Sequence, residues 1–149
     1  MARSRYKIFE NQQPYFLTCT VVNWLPIFSS RAVAQMILDS LQFLQQHQRL
    51  TIYAYVLLEN HLHLIASSSD LAKEIGDFKS FTARQIVDFF KTKHAAHILH
   101  LLKDAKEQHK QDRTYQLWQE GSHPELIQGD DMMRQKSSIF TPIRLNGAM

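Results

Sequence analysis

The segment Leu57–Ala66, LLENHLHLIA, sets two histidines one residue apart at the start of an apolar run. Side chains alternate faces along a β-strand, so a strand opening at His61 points His61 and His63 one way and Leu62 and Leu64 the other. Glu59-Asn60 reads as a tight turn, and the stretch before it, LTIYAYVLL (Leu50–Leu58), has the β-branched and aromatic content of a strand. The segment is thus read as the turn and second arm of a hairpin. Its imidazoles are either two ligands on one metal ion or two polar residues on the wet face of a sheet. A structural zinc site wants four ligands, and a single cysteine nearly excludes the usual sets. Two histidines leave coordination positions open, which suits a metal that also holds water or phosphate.

Working outward, YFLTCTVVN (Tyr15–Asn23) is a strand that Pro26 breaks. Ser29 or Ser30 then caps a helix running to about Gln46, with Val33, Ile37, Leu41 and Leu44 at helical spacing. After the hairpin, the SSSD segment (Ser67–Asp70) caps a second helix from Leu71 to about Phe90, with Leu71, Ile75, Phe78, Ile86 and Phe89 on one face. A further helix is expected over His94–Lys106, then a polar stretch to Tyr115. QLWQEG (Gln116–Gly121) is a short extended piece holding a candidate last strand near Leu117, and Pro124–Met133 leads into a short final helix. The order β-α-β-β-α is most of a ferredoxin-like split βαβ domain, an α+β fold with an antiparallel sheet and helices on one face. The bare face of such a sheet is a natural platform for a nucleic acid.

The chain of 149 residues, 44% of them hydrophobic, suffices for one packed core, read as a single domain over residues 1–149. A net charge of +3 and a pI near 9.1 permit a nucleic-acid partner without requiring one. Cys19 is the single cysteine and is expected to be a buried, inert thiol. No apolar run is long enough to span a bilayer, and the first residues have no signal-peptide core, so a cytoplasmic protein without a membrane partner is expected. A rival histidine cluster, His94, His97 and His100, drifts around its helix because three residues rotate by about 300°; it reads as a polar face.

With ENHLHLIA placed after the second strand, the chain resembles the single-tyrosine, His-hydrophobe-His transposases, the IS200-like family and its REP-associated tyrosine transposase relatives. PYFLTCTV, YVLLENHLHLI, FKSFTARQI and LWQEGSHPELIQ, in that order, carry the resemblance across most of the chain. It implies the ferredoxin-like fold, binding of single-stranded or hairpin DNA, and cleavage and rejoining through a 5′-phosphotyrosine. His61 and His63 would help hold a divalent metal, magnesium or manganese. A homodimer is compatible with the family, whose members differ. For phosphate contacts the positive charge points to Arg3, Arg5 and Lys7 near the start and to Lys79 and Arg84 in the second helix. Trp118 is a candidate for stacking on bases, and His123 in GSHPEL for touching DNA.

The last residues depart from the family pattern. Relatives carry a segment like YIHSNPVKRGY after one like MMRQK, its first tyrosine being the nucleophile and the asparagine four positions later a metal ligand. This chain runs MMRQKSSIFTPIRLNGAM, and the last of its five tyrosines is Tyr115. Permissible codons for Ile139–Met149, read from one base earlier, encode Y-I-H-S-N-P-V-K-R-G-Y. A small insertion or deletion near the codons for Lys136–Ser138 would therefore turn the family segment into the present one, altering the last helix from about residue 137. Tyr115, in a polar loop, is the one mobile candidate for a substitute nucleophile. Three readings follow: a transposase by descent that is inactive or impaired, a non-catalytic DNA-binding module, or a small metal-dependent phosphoesterase using His61 and His63.

Overall fold

The computed structural model describes residues 8, 12–106, 110–138 and 140. The described chain forms strand β1 (Tyr15–Thr20), helix α1 (Arg31–Gln46), strands β2 (Thr51–Leu57) and β3 (His61–Ser67), helices α2 (Leu71–Thr92) and α3 (Ala96–Asp104), strand β4 (Glu125–Leu126) and helix α4 (Asp130–Ser137). The strands lie in the order β2-β3-β1-β4, every neighbouring pair antiparallel. This is the split βαβ arrangement read from the element order, an α+β fold.

Local chemistry explains the element ends. Ser30 Oγ accepts from the Val33 backbone N–H at 3.4 Å and caps α1; Asp70 Oδ1 does the same for Lys73 and caps α2. The hairpin closes over Glu59-Asn60, with the Leu58 N–H donating to the His61 carbonyl at 2.8 Å. Strand β1 ends at Thr20 rather than Asn23, because Val22–Trp24 tighten into a single 3-10 turn before Pro26. Helix α3 begins at Ala96, not His94, whose φ of 53° is incompatible with a right-handed helix.

The strand period divides the sheet into two faces. Leu17 and Cys19 of β1, Leu62 and Leu64 of β3 and Tyr55 of β2 point toward α1 and α2. There they join Val33, Ile37 and Leu41 of α1 and Leu71, Ile75, Phe78 and Ile86 of α2 in one core. Each leucine buried in this way stabilises by roughly 1.5–3 kcal/mol. On α2 the core takes Phe90 in place of Phe89, which is only partly buried. Cys19 is fully buried, as expected, and burial pushes its thiol pKa up. A register shift between Ile52 and Ala54 bulges β2, so Ile52 faces the helices while Ala54 pairs with Ile65 on the opposite face.

That opposite face is not wholly bare. Phe16, Ile65 and Ile127 form a small second cluster on it, and Met132 and Met133 of α4 pack against this cluster. The expectation of helices on one face holds for α1 and α2, whereas the last helix covers part of the other.

The last strand needs a correction as well. Leu117 and Trp118 run antiparallel along the outer edge of β1, but regular pairing there is limited to one bridge, Val21 to Trp118. Backbone bonds continue along the edge from the Gln119 N–H to the Thr20 carbonyl and from the Thr18 N–H to the Ser122 carbonyl. Regular pairing resumes at β4, with Glu125 opposite Phe16 and Leu126 opposite Tyr15. The interruption coincides with left-handed backbone at Gly121 (φ 83°) and His123 (φ 44°). Lys79 on α2 donates to the carbonyls of Gln119 and Gly121, both at 2.8 Å, satisfying acceptors that an unbroken strand would have paired.

Candidate functional site

His61 pairs with Thr20 and His63 with Thr18, so the two imidazoles stand side by side on the face away from α1 and α2. Their ring centres are 4.7 Å apart and their planes are nearly perpendicular, at 80°. His63 stacks on Phe16 at 5.3 Å, and His61 meets the edge of Trp24 at 6.4 Å. Both histidines are partly buried.

Hydrogen bonds at one nitrogen of each ring decide what the other offers. His61 Nδ1 lies 2.7 Å from Asn60 Oδ1, a carbonyl oxygen that only accepts. Nδ1 therefore carries the proton and Nε2 holds a lone pair. His63 Nδ1 lies 3.0 Å from Thr18 Oγ1. A hydroxyl can take either role, and the tautomer that donates Nδ1–H to Thr18 leaves Nε2 of His63 as a second lone pair. Metal-bound histidines are commonly oriented by a second-nitrogen contact of this kind. Desolvation lowers the pKa of both rings, and the neighbouring His61 lowers that of His63 further. Both effects favour the neutral form that can act as a ligand. Among the described residues no third His, Cys, Asp or Glu joins them, so the pair makes a two-histidine donor set.

The site has two neighbours that sequence reading passed over. Trp24 is 60% exposed beside His61, on a backbone with two successive left-handed residues, Asn23 (φ 51°) and Trp24 (φ 56°). Asparagine tolerates that conformation better than most residues, so Asn23 was the available signal. Lys136 of α4 places its ammonium 5.0 Å above the Phe16 ring that stacks on His63, and pairs with Glu125 at 3.0 Å. Its position depends on how α4 folds back over the sheet, which no local pattern announces.

The other sequence-predicted residues are dispersed. Trp118 is buried between Phe28 and Phe78 and donates from Nε1 to Thr82 Oγ1 at 3.0 Å, so its ring is a core element with no face open to a base. The Lys79 ammonium is engaged with two loop carbonyls. Arg84 lines a groove of about 670 Å³ between α2 and residues 110–121, together with Lys91 and Tyr115. Tyr115 packs against the core on the helix side, with the Lys91 ammonium 5.5 Å from its ring centre, and the structure does not bring it to the histidines. Tyr55 also faces the helices, and Tyr53 bonds Ser67 through its hydroxyl at the far end of the strand pair. His123 is exposed next to Ser122, on the edge of β1 one strand away from His63. Arg3, Arg5 and Lys7 lie outside the described residues, as do 141–149 of the altered tail. No helix among the described residues is long and apolar enough to cross a membrane.

No family model and no curated protein matches the chain. Solved structures do. A REP-associated tyrosine transposase bound to a REP hairpin superimposes with a TM-score of 0.62 at 16% identity, over 94% of this chain and 70% of that one. A protein from Deinococcus radiodurans R1 described as a transposase gives 0.54 at 15% identity, over 93% and 95%. The chain shares its fold with these two proteins. The resemblance read from ENHLHLIA and its flanking segments thus agrees with a likeness of backbone over nearly the whole chain. Within this shared fold the histidine pair sits on the face that α1 and α2 leave free.

Proposed function

We propose that this protein is a REP-associated, single-tyrosine type of transposase relative that binds single-stranded or hairpin DNA on the face carrying His61 and His63 and does not cleave it. The observation that carries the reading is the pair itself: two imidazoles 4.7 Å apart on an open sheet face, each oriented through Nδ1. The likeness to a transposase holding a REP hairpin supports DNA as the partner. Two neutral imidazoles with coordination positions left open would hold a divalent metal, manganese more readily than magnesium, through Nε2 of His61 and of His63. Bound there, such an ion would polarise a backbone phosphate. Thr18 and Asn60 hold the rings, and Phe16 and Trp24 wall the pair on either side.

The missing step is nucleophilic attack. The chain after α4 returns toward the histidines: Phe140 stands 6.1 Å from Phe16, the ring on which His63 stacks. The resemblance expects a tyrosine just before this point, and this chain has none beyond Tyr115. A change of reading frame near the codons for Lys136–Ser138 accounts for the loss, and the gene sequence tests it. An in-phase YIHxNPV one base over is expected; its absence rejects the frame change.

The functional test mixes the protein with a labelled hairpin flanked by single strands, plus manganese. Binding without a covalent adduct is expected. A variant carrying YIHSNPVKRGY in place of residues 139–149 is expected to form the adduct. An adduct with the unaltered chain would show a substitute nucleophile and contradict the reading. Turnover of a small phosphoester without DNA binding would favour a metal-dependent hydrolase instead.

A further inference from the structure

Trp24 is a large apolar ring left mostly in solvent beside the histidine pair, on backbone that a bulky residue rarely adopts. Successive left-handed residues without glycine persist only where their surroundings hold them. Here the Trp24 N–H donates to the Val21 carbonyl at 3.0 Å, and Leu25 is extended ahead of Pro26, as the residue before a proline must be. The Asn60 amide spans the remaining gap. Its Nδ2 donates to the Trp24 carbonyl at 3.3 Å, while its Oδ1 accepts from His61 Nδ1 at 2.7 Å. One side chain thus ties the backbone of Trp24 to the ring of His61, and keeps the indole beside the histidine pair.

We infer that Trp24 is a stacking platform for the unpaired base next to the phosphate held at His61 and His63. The inference rests on the reading that this face takes single-stranded DNA. An indole offers the largest aromatic face of any side chain, and stacking on it tolerates any base. The site is therefore assigned a nucleobase in an unpaired strand. A base inside a duplex has both faces covered by its neighbours and cannot use it. Of the two tryptophans, Trp24 is open and Trp118 is buried, so the chain carries its own reporter and its own internal reference.

The test titrates the full chain, in manganese, with a short oligothymidylate while following tryptophan emission. Quenching of part of the emission is expected for the wild type. Trp24→Phe, which leaves only Trp118, is expected to bind within about threefold of the wild type with no quenching. Trp24→Ala and Trp24→Gly are expected to lose about fivefold to a hundredfold in affinity. The glycine variant suits the left-handed backbone and guards against misfolding of the alanine variant. Moving a single abasic site along the oligonucleotide should find one position whose cost disappears in Trp24→Gly, a coupling that a merely structural tryptophan would not give. Unchanged affinity in both variants, or an abasic cost independent of Trp24, overturns the inference while leaving the DNA reading standing. No binding by the wild type overturns both.

Discussion

The two faces of the sheet are made by alternate residues of the same strands, yet they answer to different rules. On the helix side, Leu17, Cys19, Leu62 and Leu64 are fully buried, and their contribution scales with the apolar area removed from water. On the other side Thr18, His61 and His63 alternate with them, partly exposed, with a specific hydrogen bond between Thr18 and His63. A slip of one residue in the pairing would exchange the two sets, putting imidazoles in the core and leucines in solvent. The apolar residues therefore hold the register that presents the histidines together. The site is a consequence of the core and contributes little to it.

Substitutions on the two faces should separate cleanly. Leu64→Ala is expected to cost about 2–5 kcal/mol in urea denaturation, since it opens a cavity in the packed face. His63→Ala should cost within about 1 kcal/mol, the value of one partly exposed hydrogen bond. Equal losses would mean that the histidine face shares in the core. Next in size is Thr82→Val on the helix side. It removes the acceptor of the buried Trp118 N–H and should cost about 1–3 kcal/mol in the same measurement.

Thr18→Val makes the converse point on the open face. Its effect on stability should be about 1 kcal/mol or less. Manganese affinity by calorimetry should fall about tenfold to a hundredfold, because His63 loses the partner that orients its ring. Thr18→Ser keeps the hydroxyl and should bind as the wild type does.

The smallest effect concerns acid. Both histidines have pKa values lowered from the ordinary 6.5 by desolvation. The unfolded chain then takes up more protons, so their contribution is complete above that value and declines as pH falls toward the lowered folded pKa. In chelator, the wild type should lose slightly more stability than a His61→Asn, His63→Asn double variant between about pH 7 and about pH 5. The reverse order would mean that the rings are stabilised in their charged form.

The same contrast decides what was legible in advance. The hairpin, β1, α1 and α2 announce themselves because the apolar period and the caps at Ser30 and Asp70 are local. The last strand was expected at Leu117 because an apolar pair there looks like a strand. Both residues are buried, Trp118 against Phe28, Phe78 and Thr82 across the fold, and regular pairing waits until Glu125, past two left-handed residues. Two residues carry no alternation to read. The histidine pair was visible from strand periodicity, whereas its holders were not. Thr18 faces His63 across a distance of 45 residues in sequence, and Trp24 lies just past the strand read from Tyr15 to Asn23, in a turn that no periodicity marks. Lys79 likewise has partners that no local pattern announces, the carbonyls of Gln119 and Gly121, 40 and 42 residues away in sequence.

Manganese added in small steps to protein labelled for histidine NMR shows whether His61 and His63 share one ion. The chain has eight histidines. The ring signals of His61 and His63 are expected to broaden together, at the same low metal concentration, before those of the others, and His61→Ala is expected to abolish the effect on His63. Broadening spread evenly over all the histidines, or of His61 or His63 without its neighbour, would contradict a shared ion on the open face.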